Sequence, residues 1–334
     1  MSADALPPIP REKTTGLHSG EIRPGVEKVD PIIVIDGVKR VFGGLTAVDV
    51  EHLEIPRGAI TALIGPNGAG KTTLFNLLTG FDKPNAGDWS FDGKNLAGIP
   101  AYKTARMGQV RTFQLTKSLG LLTVLENMKL GATKQTGERI WAGFLPFLWR
   151  KQELDIEVKA RELLARFKLD AKEKDFAASL SGGQRKLLEM ARALMSDPVL
   201  VMLDEPMAGV NPALTQSLLD HILGLKDLGM TVLFVEHDMH MVRHIADWVV
   251  VMAEGKVVAE GPPDSVMREQ AVIDAYLGAH QDVDLGVVTG RYAGELTPEA
   301  AELVETAHEL EHAIEVEAHT AHDDQDAQKP ETDK

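Results

Sequence analysis

The chain has 334 residues, of which 44% are hydrophobic, and it contains no cysteine. This composition is typical of a soluble globular protein, and it excludes disulfides and thiolate metal sites. No apolar run approaches the roughly 20 residues that a bilayer-spanning helix needs, and the first 30 residues lack a signal-peptide apolar segment. We therefore expect a cytoplasmic protein with one large or two modest domains.

The net charge of −15 is concentrated near the carboxyl terminus. Residues 281–334 carry 15 acidic and 3 basic side chains, so the remainder of the chain is close to neutral. A protein that binds a nucleic-acid duplex usually presents a basic face. The charge distribution therefore argues against nucleic acid as the main partner.

Three parts of the chain differ in character. Residues 1–30 contain scattered prolines and charges without periodicity, which predicts a disordered leader. Residues 31–280 form the body, which begins with an alternating β-branched run typical of a strand. Residues 281–334 form the acidic tail, with a helix predicted over about residues 298–318.

The most specific pattern is a phosphate-binding loop, G-x-x-x-x-G-K-[ST], set between an apolar strand and a helix. Its glycines let backbone N–H groups surround a phosphate, and the helix dipole points at the same place. In such a loop Lys71 reaches the β- and γ-phosphates and the Thr72 hydroxyl holds Mg²⁺. The predicted phosphate-binding residues are Gly65, Pro66, Asn67, Gly68, Ala69, Gly70, Lys71, Thr72 and Thr73.

Two apolar runs deliver charged residues at their carboxyl ends. Residues 199–203 lead to Asp204 and Glu205, and residues 232–235 lead to a segment that contains His237. Such runs are typical of strands buried in a parallel sheet, and these sheets bind ligands at their carboxyl edge. Asp204 suits a Mg²⁺-associated carboxylate and Glu205 a group that orients or deprotonates water. A lone histidine is more often structural, but His237 is able to donate to a γ-phosphate.

Two further single residues have weak support from spacing alone. Phe42 ends a predicted strand about 20 residues before the phosphate loop, where its ring is able to stack on a base. A lone phenylalanine at a strand end is, however, more often part of the core. Gln114 follows a short predicted strand, and a solvated glutamine is the more common case.

Residues 115–180 change to helical periodicity, which predicts an amphipathic helical insert. Within it, residues 140–149 are unusually apolar and aromatic. That segment fits either packing inside the insert or a patch that contacts a membrane protein. The signature segment (Leu180–Gln184) then opens a helix with Ser181 as its N-cap, and its paired glycines offer a second anion-binding surface.

Residues 32–278 resemble the nucleotide-binding subunit of ATP-binding cassette (ABC) transporters. The resemblance implies an α/β P-loop NTPase fold with a RecA-like core, an antiparallel β subdomain and an inserted α-helical subdomain. It also implies ATP and Mg²⁺ as cofactors and ATP hydrolysis as the activity. The finer text, RVFGGLTAVDV, ARMGQVRTFQ and EHDMHMVRHIADWVVVMAEGKVVAEG, resembles the LivG-type ATPase of branched-chain amino acid importers.

The resemblance assigns a role to each matched residue, including those that spacing leaves open. The implied catalytic residues are Lys71, Gln114, Glu205 and His237. The implied Mg²⁺ ligands are Thr72, Gln114 and Asp204. The implied ATP contacts outside the phosphate loop are Phe42, Ser181, Gly182, Gly183 and Gln184. One departure is Asn211, which stands where many ABC proteins have Asp.

The same resemblance implies the partners. These are two transmembrane permease subunits, a second ABC ATPase subunit or a second copy of this chain, and indirectly a solute-binding protein. The chain would then lie at the cytoplasmic face of the membrane. The alternatives are an ATPase for a related solute such as urea or short-chain amides, an ABC exporter subunit, and a soluble mechanical ABC ATPase.

Overall fold

The computed structural model describes residues 16–96, 98–112, 119–133, 135, 146–210 and 212–277. Two residues discussed above, Gln114 and Asn211, lie outside the described residues. The acidic tail with its predicted helix and most of the aromatic segment at residues 140–149 also lie outside them. Among the described residues, no helix is long and apolar enough to cross a bilayer.

Ten strands form two sheets in the described part of the chain. Their bounds are β1 Pro31–Phe42, β2 Leu45–Pro56, β3 Ile60–Ile64, β4 Ala86–Phe91, β5 Lys94–Asn95, β6 Gln109–Arg111, β7 Leu200–Asp204, β8 Thr231–Val235, β9 Trp248–Ala253 and β10 Lys256–Gly261. The smaller sheet has the order β2-β1-β4-β5, and its pairs are antiparallel. The larger has the order β10-β9-β3-β8-β7-β6, and only its β10–β9 pair is antiparallel.

The helices of the described residues are α1 Lys71–Leu78, α2 Ala101–Arg106, α3 Val124–Lys129, α4 Pro146–Arg166, α5 Gly182–Leu194, α6 Pro212–Asp227, α7 Met239–Ile245, α8 Pro263–Val266 and α9 Gln270–Leu277. The sequence predicts one helix over about residues 263–277, whereas α8 and α9 are separate. Helical periodicity misses this break because turn hydrogen bonds, such as Arg268 N–H to the Ser265 carbonyl, interrupt the ladder locally.

The parallel strands in the middle of the larger sheet are buried along their whole length. Every residue of β3, β7 and β8 is buried. This explains their unbroken apolar sequences, because a strand covered on both faces has no solvent side to make polar. The predicted parallel sheet is therefore confirmed.

One hydrophobic core connects the two sheets through α1. Phe75 and Leu78 of α1 lie in the same buried cluster as Trp89 of the smaller sheet and Trp248 of the larger. Burying large aromatic side chains removes much apolar area from water and fixes α1 between the sheets. The phosphate loop that precedes α1 is thereby held by both sheets.

The helical insert contains α3 and α4 in its described part. Leu164 and Phe167 are buried as the apolar periodicity predicts, but Val158 is 55% exposed and lies outside the buried face. The signature segment then leads into α5 through a capping box. The Ser181 hydroxyl accepts from the Gln184 N–H at 3.3 Å, and the Gln184 side chain accepts from the Ser181 N–H at 3.0 Å. The predicted N-cap is confirmed.

Residues 16–30 differ from the expectation of a disordered leader. Val26 and Lys28 are buried, and the Lys28 ammonium lies 2.7 Å from Glu260 Oε2. The backbone N–H groups of Gly25 and Val26 donate to Glu260 Oε1 at 2.6 and 3.1 Å. Since these partners are more than 200 positions apart in the sequence, no local pattern announces them.

Candidate active site

The predicted catalytic residues converge at the carboxyl edge of the larger sheet. β3 leads into the phosphate loop, β7 ends at Asp204 and precedes Glu205, and β8 precedes Glu236 and His237. Because these strands are parallel neighbours in the order β3-β8-β7, their carboxyl ends lie side by side. This is the edge at which open α/β sheets bind ligands.

The phosphate loop has a backbone that only glycine fits at two positions. Gly65 has φ of 144° and Gly70 has φ of 98°. A Cβ atom on Gly65 would collide with the Met252 carbonyl oxygen, and one on Gly70 with that of Ala47. Both positions therefore need a residue without a side chain. The loop residues Asn67 and Gly68 are exposed at its crest, while Ala69 is buried beneath them.

Lys71 is turned back onto the phosphate loop. Its ammonium donates to the carbonyls of Gly65 and Pro66 at 2.6 and 2.9 Å. Burial lowers the pKa of Lys71, while the nearby carboxylates of Glu205 and Asp204 act in the opposite direction. The structure thus brings Lys71, Asp204 and Glu205 together. A cation held only by carbonyls suits an incoming phosphate, and the glycine backbone fits a nucleotide.

Asp204 is the carboxylate at the end of β7. It is 6% exposed and pairs with Arg111 of the neighbouring strand β6, with 2.6 Å between Arg111 Nη2 and Asp204 Oδ2. A carboxylate and the exposed Thr72 hydroxyl are oxygen donors of the kind that Mg²⁺ prefers. These two residues fit the predicted metal role.

Glu205 occupies an unusual backbone conformation. Its φ is 46°, in the left-handed region that non-glycine residues rarely adopt. Two contacts hold it there: its N–H donates to the Val235 carbonyl at 3.0 Å, and Lys186 Nζ lies 3.5 Å from its own carbonyl. Backbone strain of this kind clusters at functional sites.

Lys186 of α5 binds the turn that follows Glu205. Its ammonium donates to the Pro206 carbonyl at 2.9 Å and to the Ala208 carbonyl. Burial lowers the pKa of Lys186, and the carboxylates of Glu236, Glu189 and Glu205 oppose that shift. The helix that begins at the signature segment is therefore bonded directly to the turn that carries Glu205.

Glu236 connects the same turn with His237. It is 1% exposed and accepts from the backbone N–H groups of Met207 and His237 at 2.9 and 3.3 Å. Burial raises the pKa of Glu236, and the two N–H donors partly offset that shift. The His237 side chain itself is 69% exposed, so it faces the space in front of the edge.

Phe42 and the signature segment lie at the periphery of this site. The Phe42 ring is 46% exposed, and the Arg40 guanidinium lies 4.3 Å from its centroid. Ser181 and Gly182 are exposed, and Gly183 is buried. In the part of the chain that the structure describes, no hydrogen bond joins the signature segment to the phosphate loop. The roles of these residues in ATP binding remain predictions.

Four buried polar residues in or near the site lack an assignment from sequence patterns: Arg111, Lys186, Glu236 and Tyr276. Arg111 and Glu236 were detectable in principle, because each follows a strand and stands next to a predicted site segment. Lys186 and Tyr276 reach the site from distant elements. Burial raises the pKa of the Tyr276 hydroxyl, which interacts with the Gly65 backbone from helix α9.

Comparison with protein families finds an ABC transporter domain over residues 48–208. The branched-chain amino acid transport ATP-binding protein LivG of Archaeoglobus fulgidus is 40% identical over 257 residues, which are 77% of this chain and 99% of the relative. The chain belongs to the ABC transporter family. This ABC protein is also 39% identical to BraF of Pseudomonas aeruginosa, named for high-affinity branched-chain amino acid transport, over 74% of the chain and 98% of the relative.

Solved ABC cassettes share the fold. A nucleotide-free ATP-binding cassette from an ABC transporter is 35% identical, covers 74% of this chain and 98% of its own, and has a TM-score of 0.64. A cassette in its ADP conformation has a TM-score of 0.65 at the same identity. The expected α/β cassette fold and the expected family are thus confirmed.

A second family match lies at the end of the described body. Residues 256–282 match a segment named for branched-chain amino acid ATP-binding cassette transporters. It spans β10, α8 and α9, and it includes Tyr276. The expected LivG type is therefore confirmed by a segment outside the nucleotide-binding motifs.

Proposed function

We propose that this ABC protein hydrolyses ATP to drive the import of branched-chain amino acids across the cytoplasmic membrane. The support is the naming of its relatives, LivG and BraF, which it matches over almost their whole length. The match over residues 256–282 supports the same solute class. The observation that carries the ATPase is the convergence of Lys71, Asp204 and Glu205 at one sheet edge.

In the proposed reaction, the phosphate loop holds the β- and γ-phosphates by its N–H groups, and Lys71 exchanges its carbonyl partners for phosphate oxygens. Thr72, Asp204 and Gln114 are the proposed ligands of Mg²⁺, which neutralises phosphate charge when bound. Phe42 stacks on adenine. Little covalent work is left to the protein, since phosphoryl transfer depends mainly on positioning and charge stabilisation.

The attack on the γ-phosphate is assigned to water held by Glu205. This side chain orients the water and accepts its proton, while His237 donates to the γ-phosphate from the neighbouring strand. The strained φ of Glu205 and its support by Lys186 favour this role, because a base acts only within hydrogen-bond reach of the proton it takes.

The signature segment is assigned to a neighbouring cassette. Ser181 and Gly182 are exposed and have no bond to the phosphate loop of their own chain, so we propose that they and Gly183 and Gln184 cap the γ-phosphate held by a second ABC subunit, or by a second copy of this chain. Two transmembrane permeases, and indirectly a solute-binding protein, complete the proposed importer at the cytoplasmic face of the membrane.

Uptake in cells tests the solute. Cells that lack this gene are supplied with the wild-type chain or with Glu205→Gln, and uptake of radiolabelled leucine and urea is measured. Restored leucine uptake with the wild type alone is the expected result. Restored urea uptake without leucine uptake would favour the related solute class.

Affinity purification tests the partners. Tagged Glu205→Gln chain is recovered from mildly solubilised native membranes with ATP present. Two multi-spanning permeases and a second cassette should co-purify, and omitting ATP provides the control for nucleotide-dependent association. A soluble homodimer without membrane chains would instead indicate a mechanical ABC ATPase.

A further inference from the structure

Arg111 forms a buried ion pair with the proposed metal carboxylate. Its Nη2 atom lies 2.6 Å from Asp204 Oδ2, and the two side chains are 6% and 7% exposed. Charge pairs at this distance interact strongly when water is largely excluded, and removing one partner leaves the other as an uncompensated buried charge. Arg111 therefore determines the electrostatic state of Asp204 in this structure.

The position of Arg111 is fixed by helix α1. Its Nη1 atom donates to Asn76 Oδ1 at 2.7 Å and to Thr79 Oγ1 at 3.4 Å. The guanidinium also lies 5.5 Å from the centroid of the Phe75 ring. These contacts hold it between α1, which follows the phosphate loop, and β7, which ends in Asp204. The guanidinium is thus pre-organised by the fold.

The other cation of the site does not share this task by hydrogen bonding. Lys71 donates to the Gly65 and Pro66 carbonyls, and its attraction to Asp204 ranks below its attraction to Glu205. Direct pairing with Asp204 is therefore made by Arg111. The two cations have separate partners, one the loop and the other the metal carboxylate.

We propose that Arg111 is the resident counter-charge of Asp204 and that it competes with Mg²⁺ for this carboxylate. The inference rests on the proposed assignment of Asp204 to Mg²⁺. A guanidinium at 2.6 Å reduces the attraction of the carboxylate for a second cation and repels a divalent ion directly. Phosphates bring the negative charge that offsets this repulsion, so Arg111 makes Mg²⁺ binding depend on bound nucleotide.

The test compares Arg111→Met with Arg106→Met, which changes an exposed arginine at the end of α2. The half-saturating Mg²⁺ concentration is measured for binding of a fluorescent ADP analogue to the full chain, and melting temperatures are measured in EDTA and in Mg²⁺ with ADP. Arg111→Met is expected to lower the half-saturating Mg²⁺ about tenfold. It is also expected to lower the melting temperature in EDTA by several degrees and to regain most of it with Mg²⁺ and ADP.

A purely structural role for Arg111 gives a different pattern. The melting temperature would fall equally with and without Mg²⁺, and the half-saturating Mg²⁺ would stay the same or rise, which overturns the proposal. Arg111→Gln, which keeps a hydrogen-bond donor but no charge, repeats the measurement if the methionine variant does not fold. It should show the same tenfold decrease, whereas Arg111→Lys, which keeps the charge, should stay near the wild type.

Asp204→Asn separates this inference from the proposed function. If Asp204→Asn leaves the Mg²⁺ dependence unchanged, the assignment of Asp204 to the metal is wrong and the inference falls with it. If Asp204→Asn raises the half-saturating Mg²⁺ but Arg111→Met does not lower it, only the competition is wrong. In the double variant, Arg111→Met should no longer change the Mg²⁺ dependence, because the contested carboxylate is gone.

Discussion

Two groups of buried charges in this protein are bonded in opposite ways. The anchor cluster (Gly25, Val26, Lys28, Trp248 and Glu260) is saturated by its own chain, since the Glu260 carboxylate accepts from all four other members. The catalytic edge (Lys71, Arg111, Lys186, Asp204 and Glu205) has two lysines that donate to backbone carbonyls. Saturated charges stabilise one structure, whereas lysines bonded to carbonyls are able to exchange those partners for a ligand.

The largest expected effect follows from breaking the anchor cluster. Lys28 and Glu260 have fully buried side chains, and the Lys28 ammonium also lies 4.6 Å from the Trp248 ring centroid. Lys28→Met leaves Glu260 as an unpaired buried charge and should reduce the free energy of unfolding by about 3–5 kcal/mol. Denaturant titration of the full chain measures this, and binding of a fluorescent ADP analogue at a stabilising temperature should be unchanged.

The matched control is Arg57→Met. Arg57 pairs with Asp30 and Asp92, both of which are more than half exposed, so its loss should cost less than about 1 kcal/mol. A Lys28→Met chain as stable as the Arg57→Met chain would mean that residues 16–30 are not anchored by this pair.

The next effect concerns the catalytic edge and should leave stability unchanged. Glu205→Gln removes the proposed base but keeps side-chain size, so ATP turnover should fall at least about 100-fold. ATP binding should be retained. Glu254→Gln is the control, because Glu254 is an exposed glutamate with a similarly left-handed φ of 49°. Turnover of Glu205→Gln near that of Glu254→Gln would reject the base assignment.

A smaller effect is expected at the contact between α5 and the turn after Glu205. Lys186→Met removes the donor to the Pro206 carbonyl, so Glu205 is held less firmly and kcat should fall about tenfold with little change in KM. Lys186→Arg should recover part of the loss because it keeps a positive donor at this turn. A rise in KM without a fall in kcat would mean that Lys186 acts on nucleotide binding instead.

The same comparison explains which features the sequence predicts. The phosphate loop, β7 with Asp204 and Glu205, and the Ser181 N-cap depend on neighbours within a few positions, so their patterns are readable. The anchor cluster, Lys186 and the Arg111–Asp204 pair depend on contacts between distant segments, and local periodicity does not encode them. Val158 shows the same limit, since the exposed side of an insert helix is decided by what packs against it.

The smallest effect is expected at the carboxyl terminus, where the position of the cut decides the outcome. Deleting residues 291–334 keeps the matched segment at residues 256–282 and helix α9, whose Tyr276 is 3% exposed and contacts the phosphate loop at Gly65. ATP turnover should therefore stay within about twofold of the full chain, because the deletion leaves the described body intact. Deleting from residue 270 instead removes Tyr276 and uncovers Gly65, so nucleotide binding should weaken. Equal losses from the two deletions would show that the acidic tail, and not α9, supports the phosphate loop.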